Sequence, residues 1–258
     1  MSGRLSGKAA FVTGAGRGIG AAVVDAFVAE GASVFIAELD AATGAAKAAE
    51  LRARGGRAAS CVCDVSDRAS VEAAVASAKS ALGPINVLVN NAGVNVFRDP
   101  LTMTEADWRR CLGIDLEGPL HACRAVLPDM LAQGSGVIIN IASTHSFTII
   151  PGCFPYPVAK HGLLGLTRAL AIEYAARGIR MNAIAPGYIE TQINRDYWAT
   201  FPDPAAERQR AMNLHPPKRV GRPEEVAMTA VFLASDEAPF INASVITIDG
   251  GRSVLYHD

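Results

Sequence analysis

A tyrosine and a lysine stand four residues apart, Tyr156 and Lys160, in the run YPVAK. On a helix that spacing puts both side chains on one face, within reach of a single ligand. Pro157 then falls in the first turn, where its missing N–H does no harm. The tyrosine thus stands at the positive end of the helix. A free phenol ionises near pH ~10, too high for a base at neutral pH. A neighbouring ammonium and the helix dipole both favour the phenolate. The chemistry is proton transfer, with Tyr156 as acid and base. Ser143 ends an apolar run 13 residues earlier, and its hydroxyl can donate to an oxygen on which charge develops. Each residue also has a plain structural reading: such Tyr/Lys pairs occur on amphipathic helices, and a serine ending a strand can cap a turn.

A second cluster lies near the N-terminus. The run TGAGRGIG holds Gly14, Gly16, Arg17, Gly18, Ile19 and Gly20 between a strand-like segment and a helix-like one. Glycines in that context permit a tight turn and close backbone approach to a pyrophosphate, which rests on the helix N-terminus. Glu38 ends the next strand, 18 residues after Gly20, and Leu39 follows it. A carboxylate there accepts hydrogen bonds from ribose hydroxyls and repels a 2′-phosphate. The expected cofactor is therefore NAD, with NADP disfavoured, although Arg17 can soften the choice by pairing with a phosphate. The plain alternative for Glu38 is a solvated loop carboxylate. Asp64, ending the third strand before Val65, is placed to meet the adenine.

These residues need elements to position them. Apolar runs at 9–14, 33–38, 58–64, 85–93, 136–143, 180–187 and 244–251 read as strands. They are short, β-branched and apolar on both faces, as in a buried parallel sheet. Helix-like segments lie between them at 18–30, 41–54, 67–82, 104–133, 157–177 and 223–234. The alternation predicts an α/β fold: a single doubly wound Rossmann-type domain over 1–258, with a parallel sheet flanked by helices on both faces. The helix over 104–133 opens on a good cap, Thr104 with Asp107, and is expected to break at Gly118-Pro119. The segment 188–220 is long, mixed in polarity and proline-interrupted, which suits a substrate lid.

Length and composition agree with one well-filled core. The chain has 258 residues, half of them apolar, and a net charge of −1. That charge makes no case for nucleic acid or an anionic membrane. No signal-peptide or bilayer-spanning run is apparent, so a soluble, cytoplasmic protein is expected. The five cysteines lack ligand spacing, and no metal is implied. Cys61 and Cys63 share a strand face and are poorly placed to bridge. Reduced, mostly buried thiols are expected, with Cys153, just before Tyr156, the one to watch.

In order along the chain, TGAGRGIG, Asp64-Val65, NNAG at 90–93, Ser143, YPVAK and Pro186-Gly187 resemble the short-chain dehydrogenase/reductase family. The resemblance covers nearly the whole chain. It implies a seven-stranded sheet and assembly as a homotetramer or homodimer. It adds Asn91, Ala92, Gly93, Pro186, Gly187, Ile189 and Thr191 to the cofactor-binding residues, together with Tyr156 and Lys160, whose ammonium would also hold ribose hydroxyls. One position departs from the pattern: the family's asparagine is here Asp115. The family role uses that residue's backbone carbonyl to hold a water that extends the proton relay from the lysine. Pro119, four residues on, cannot give the N–H that this carbonyl would otherwise receive.

The run Ser143-Thr144-His145 and the later YIETQINRDYW resemble short-chain sugar dehydrogenases of the glucose 1-dehydrogenase type. Asn95, His145, Gln192, Asn194 and Arg195 can supply polyol contacts, and Trp198 or Tyr197 can stack on a sugar's apolar face. The expected partner is a small-molecule hydroxyl or carbonyl substrate. Two alternatives stay open. One is a 3-oxoacyl-thioester reductase, which would want an apolar slot and a basic rim. The other is a dinucleotide-binding sensor without chemistry, expected to lack the tyrosine or the lysine.

Overall fold

The computed structural model describes residues 3–256. Seven strands form one sheet: β1 (Ala9–Thr13), β2 (Ser33–Glu38), β3 (Ala58–Val62), β4 (Val87–Asn90), β5 (Gly136–Ile141), β6 (Ile179–Pro186) and β7 (Val245–Ile248). Every neighbouring pair is parallel, in the order β3-β2-β1-β4-β5-β6-β7. The order reverses between β1 and β4, and a ligand crevice opens outside the carboxyl ends of strands at such a point.

Alternation along the strands sorts side chains onto two faces. Ala10 and Val12 of β1 point into one core, with Val34, Ile36 and Val89. Ala9 and Phe11 point into the other, with Phe35, Leu88 and Ile138. Helices α1 (Gly18–Ala29), α2 (Ala41–Ala53) and α9 (Pro223–Ala234) cover the first face. The second is covered by α3 (Arg68–Leu82), α5 (Gly118–Gln133) and α6 (Tyr156–Tyr174). Phe11 is fully buried, which contributes roughly 2–3 kcal/mol from its apolar area alone.

The expected break at Gly118-Pro119 takes a different form. Helix α4 (Glu105–Leu112) starts on the Thr104–Asp107 capping box. It runs into α5 through a wide π turn, Gly113–Glu117, in which the Gly118 N–H reaches back to the Gly113 carbonyl. Pro119 sits in the first turn of α5, where it is tolerated. The chain widens before the proline rather than stopping at it, and Asp115 lies buried within the widened turn.

The 188–220 segment folds into two short helices, α7 (Gln192–Ala199) and α8 (Pro204–Asn213). They close on a small apolar cluster of Trp198, Ala211 and Val220. No helix among the described residues is long and apolar enough to cross a membrane.

A polar chain crosses the middle of the sheet. Asn90 on β4 donates to Asn140 on β5 at 2.8 Å, and Asn140 donates to Thr167 on α6 at 2.8 Å. Thr167 donates in turn to the Leu163 carbonyl at 2.7 Å. Buried polar groups persist only when paired in this way. The chain ties the strand ends to the helix that carries Tyr156 and Lys160.

Candidate active site

The glycine turn after β1 is shaped by backbone that other residues resist. Gly14 and Gly18 have φ of +61° and +59°, and a Cβ on Gly14 would meet the Ala92 backbone at 2.9 Å. Gly20 packs helix onto strand: a Cβ there would run into the Gly14 carbonyl oxygen. Thr13 fastens the turn to the end of β4. Its hydroxyl accepts from the Asn91 and Ala92 N–H groups, both at 3.0 Å. The Asn91 amide donates to the Thr13 and Gly14 carbonyls at 3.0 and 2.8 Å. Asn91 is thus partly architectural, and Thr13 was missed in the sequence, where it reads as one more residue of the apolar run 9–14.

The Glu38 carboxylate folds back over this turn. One oxygen accepts from the Gly16 N–H at 2.9 Å and the other from the Leu39 N–H at 2.9 Å. Asp64 is held by Ser66 through its N–H at 2.9 Å and its hydroxyl at 2.7 Å.

From here a cleft of about 810 Å³ runs across the carboxyl ends of the strands to α6. The expected cofactor residues line it, apart from Gly16 and Gly20. Asn95, Ser143, His145, Gln192 and Asn194 line its far end. Trp198 does not: it is 2 % exposed and packs in the α7–α8 cluster, so of the two stacking candidates Tyr197 alone lines the cleft. Arg195 is exposed outside the cleft. Asn194 and Gln192 are partly occupied, donating to the Ile189 carbonyl at 2.6 Å and to Asp196 at 2.7 Å. Cys153 lines the cleft, but burial pushes its thiol up and away from reactivity.

Tyr156 opens α6, with its ring edge-on to Phe97 and to His145 at 5.8 Å each. Ser143 caps the turn Thr144–Ser146, its oxygen accepting the His145 N–H at 3.1 Å. The capping and functional readings are compatible, because accepting leaves the hydroxyl proton free to donate. Lys160 is buried, with Nζ 5.5 Å from the centre of the Tyr156 ring.

Asp115 is fully buried in the π turn. Its Oδ1 lies 3.1 Å from Lys160 Nζ, and its carboxylate accepts the Val94 N–H at 3.3 Å. Gly93 makes the room, since a Cβ there would come within 2.7 Å of Asp115 Oδ1. Lys160 also donates to the Ile141 carbonyl at 3.3 Å. Burial raises the Asp115 carboxyl above its ordinary range, with Lys160 opposing. Burial disfavours the Lys160 ammonium, but Asp115 and Tyr156 together outweigh it and push the lysine up. Burial also pushes the Tyr156 phenol up; Lys160 opposes this and Asp115 reinforces it. Lys160 thus acts on the phenol in the expected direction, but burial together with Asp115 outweighs it. The carboxylate cancels part of the ammonium's field at the phenol.

A family model described as enoyl-(acyl carrier protein) reductase matches residues 14–253. The D-threitol dehydrogenase of Mycolicibacterium smegmatis is 38% identical over 251 residues, covering 97% of this chain and 95% of that protein. The 3-oxoacyl-[acyl-carrier-protein] reductase FabG of Thermotoga maritima is 37% identical over 250 residues, covering 96% and 98%. The crystal structure of levodione reductase has a TM-score of 0.92 at 36% identity, covering 97% of this chain and 99% of that one.

Proposed function

Because the chain belongs to the short-chain dehydrogenase/reductase family, we propose that it is an NAD-dependent dehydrogenase of small polyols or sugar derivatives. The observation that carries this reading is the single cleft joining the glycine turn and Glu38 to Ser143, Tyr156 and Lys160. The residues present fit a dinucleotide: a glycine turn for the pyrophosphate and a carboxylate at the end of β2 for the adenosine ribose. When bound, the nicotinamide supplies the hydride acceptor. In oxidation, Tyr156 takes the proton of the substrate hydroxyl and Ser143 donates to the same oxygen. Lys160 holds positive charge beside the phenolate and, with the dinucleotide bound, would donate to its ribose hydroxyls. The relatives named above include a polyol dehydrogenase and an acyl-carrier reductase. The polar far end of the cleft, with Asn95, His145 and Gln192, favours the polyol.

The deciding experiment is a substrate panel of polyols, aldoses, secondary alcohols and a 3-oxoacyl thioester, run with NAD and NADP side by side. Polyol oxidation with NAD is the expected leading activity; preferential NADPH-linked reduction of the thioester would overturn the reading. Replacing Glu38 by serine should move the NAD-to-NADP ratio of kcat/KM toward NADP by roughly tenfold or more, since like-charge juxtaposition costs several kcal/mol. An unmoved ratio would remove Glu38 as the selector.

The route of the proton beyond Lys160 belongs to the same proposal. Pro119 has no N–H to give to Asp115, four residues back, or to Ile114, five back across the π turn. A main-chain carbonyl is thereby left to hold a relay water. Pro119→Ala supplies the missing donor and should lower turnover several-fold (about 1 kcal/mol for a hydrogen bond competing with the water), with a changed pH profile. Identical turnover and profile would rule this route out. The proposal extends to a closing lid over 188–220, to cytoplasmic residence, supported by five free thiols, and to a homotetramer or homodimer. Val158 and Ile172, exposed on α6, support the assembly.

A further inference from the structure

Four cationic side chains line the cleft: Arg17, Lys160, Arg210 and Arg252. Two are ion-paired, Lys160 with Asp115 at 3.1 Å and Arg210 with Glu207. Arg17 is exposed at the glycine turn, at the proposed cofactor end. Arg252 differs. It begins the short turn Arg252–Val254 after β7, and its guanidinium lies over the Tyr188 ring, 5.0 Å from the centre. Among the described residues no carboxylate lies within salt-bridge distance of it. The turn is fixed from below by Asp249, which accepts the Gly251 N–H at 2.8 Å and the Ser253 N–H at 2.7 Å.

The nearby Asp249 carboxylate is spent on those two main-chain donors rather than on the guanidinium. His145 and His215 are both held toward the neutral form, by burial first and by Arg252 in addition. A half-buried, aromatic-backed guanidinium with its donors unspent, in the same cleft as Tyr156 and Ser143, is a built receptor for a planar anion. A single guanidinium matches one negative charge, so it suits a carboxylate better than a phosphate dianion.

We infer that Arg252 determines substrate choice, and that the substrate is a hydroxy acid whose carboxylate it holds while Ser143 and Tyr156 engage the hydroxyl. The inference rests on the oxidoreductase reading above and narrows its polyol class to the acid members.

The test compares an aldonate, the alditol of equal chain length and the corresponding sugar phosphate, with wild type, Arg252→Gln and Arg252→Lys. Wild type should favour the aldonate in kcat/KM. Arg252→Gln should cut the aldonate-to-alditol ratio by about ten- to a hundredfold, the worth of a charged hydrogen bond, with the loss in KM. Arg252→Lys should restore part of it. Equal losses on acid and alditol would show a merely structural arginine, and preference for the phosphate would reject the carboxylate assignment. A second readout needs no turnover: calorimetric titration of glutarate, which has no hydroxyl to oxidise, into each protein saturated with NAD. Arg252-dependent glutarate binding without turnover on any hydroxyl compound would keep the anion site and sink the oxidoreductase reading instead. Glutarate affinity identical in wild type and Arg252→Gln would overturn the inference.

Discussion

Replacing Tyr156 by phenylalanine should cost about three orders of magnitude or more in turnover while NAD affinity persists, since positioned acid–base groups commonly contribute 10²–10⁴-fold. The change removes one oxygen and keeps the ring. The edge-on contacts to Phe97 and His145, and the start of α6, need only the ring and the backbone. Loss of fold is therefore a poor explanation for loss of rate. The measurement is steady-state turnover beside NAD titration by fluorescence. Activity within tenfold of wild type would remove the tyrosine from the chemistry, and a parallel loss of NAD binding would make it a cofactor-site residue instead.

The second large effect runs the other way. Asp115→Asn should move the acid limb of the kcat/KM profile for alcohol oxidation to lower pH, by about one to two units. Oxidation needs the phenolate. Asp115 offsets the Lys160 ammonium, and burial holds the phenol high as well. Of the other titratable neighbours, Cys111 is pushed up to about 12 by burial and stays neutral, and burial holds His145 toward its neutral form. Removing a unit charge several ångströms away, at an effective dielectric near 20, is worth roughly 2 kcal/mol, or about one to two pKa units. The asparagine retains an oxygen for the Val94 N–H and nearly the same volume, so the comparison isolates charge. An unmoved or raised acid limb would contradict the account. Asp115→Leu makes the contrast: it strands a buried ammonium and should cost ~3–5 kcal/mol of stability in denaturant unfolding.

Much of this was legible before any coordinates. The sheet and its helices follow from short apolar runs spaced by helical ones, because a strand buried on both faces has no polar alternation to obscure it. That the glycine turn, Glu38, Ser143, Tyr156 and Lys160 would meet along one cleft was legible because the proposed chemistry ties residue type to local spacing. Trp198 was not: an aromatic on a short amphipathic helix can face ligand or core, and three residues distant in sequence, Ala211 and Val220 with Tyr188, decide it. Arg252 was invisible for a related reason. Its partner is the ring of Tyr188, 64 residues earlier, and no local spacing announces such a pair. The π turn escaped because proline and glycine mark where a helix is disturbed without saying how the backbone absorbs the disturbance.

The hydrogen bond from Gly16 to Glu38 has a consequence for anyone wishing to redesign this protein's coenzyme. A side chain at position 16 would run into Thr43 at 2.7 Å and Glu38 at 3.0 Å. Removing the carboxylate alone takes away the side-chain acceptor of the half-buried Gly16 N–H; enlarging position 16 alone collides with the carboxylate. The two positions, 22 residues apart, form one lock with two tumblers. A library varying them one at a time would cross a valley at each step, whereas one varying positions 16, 38 and 43 together can reach the other side in a single move.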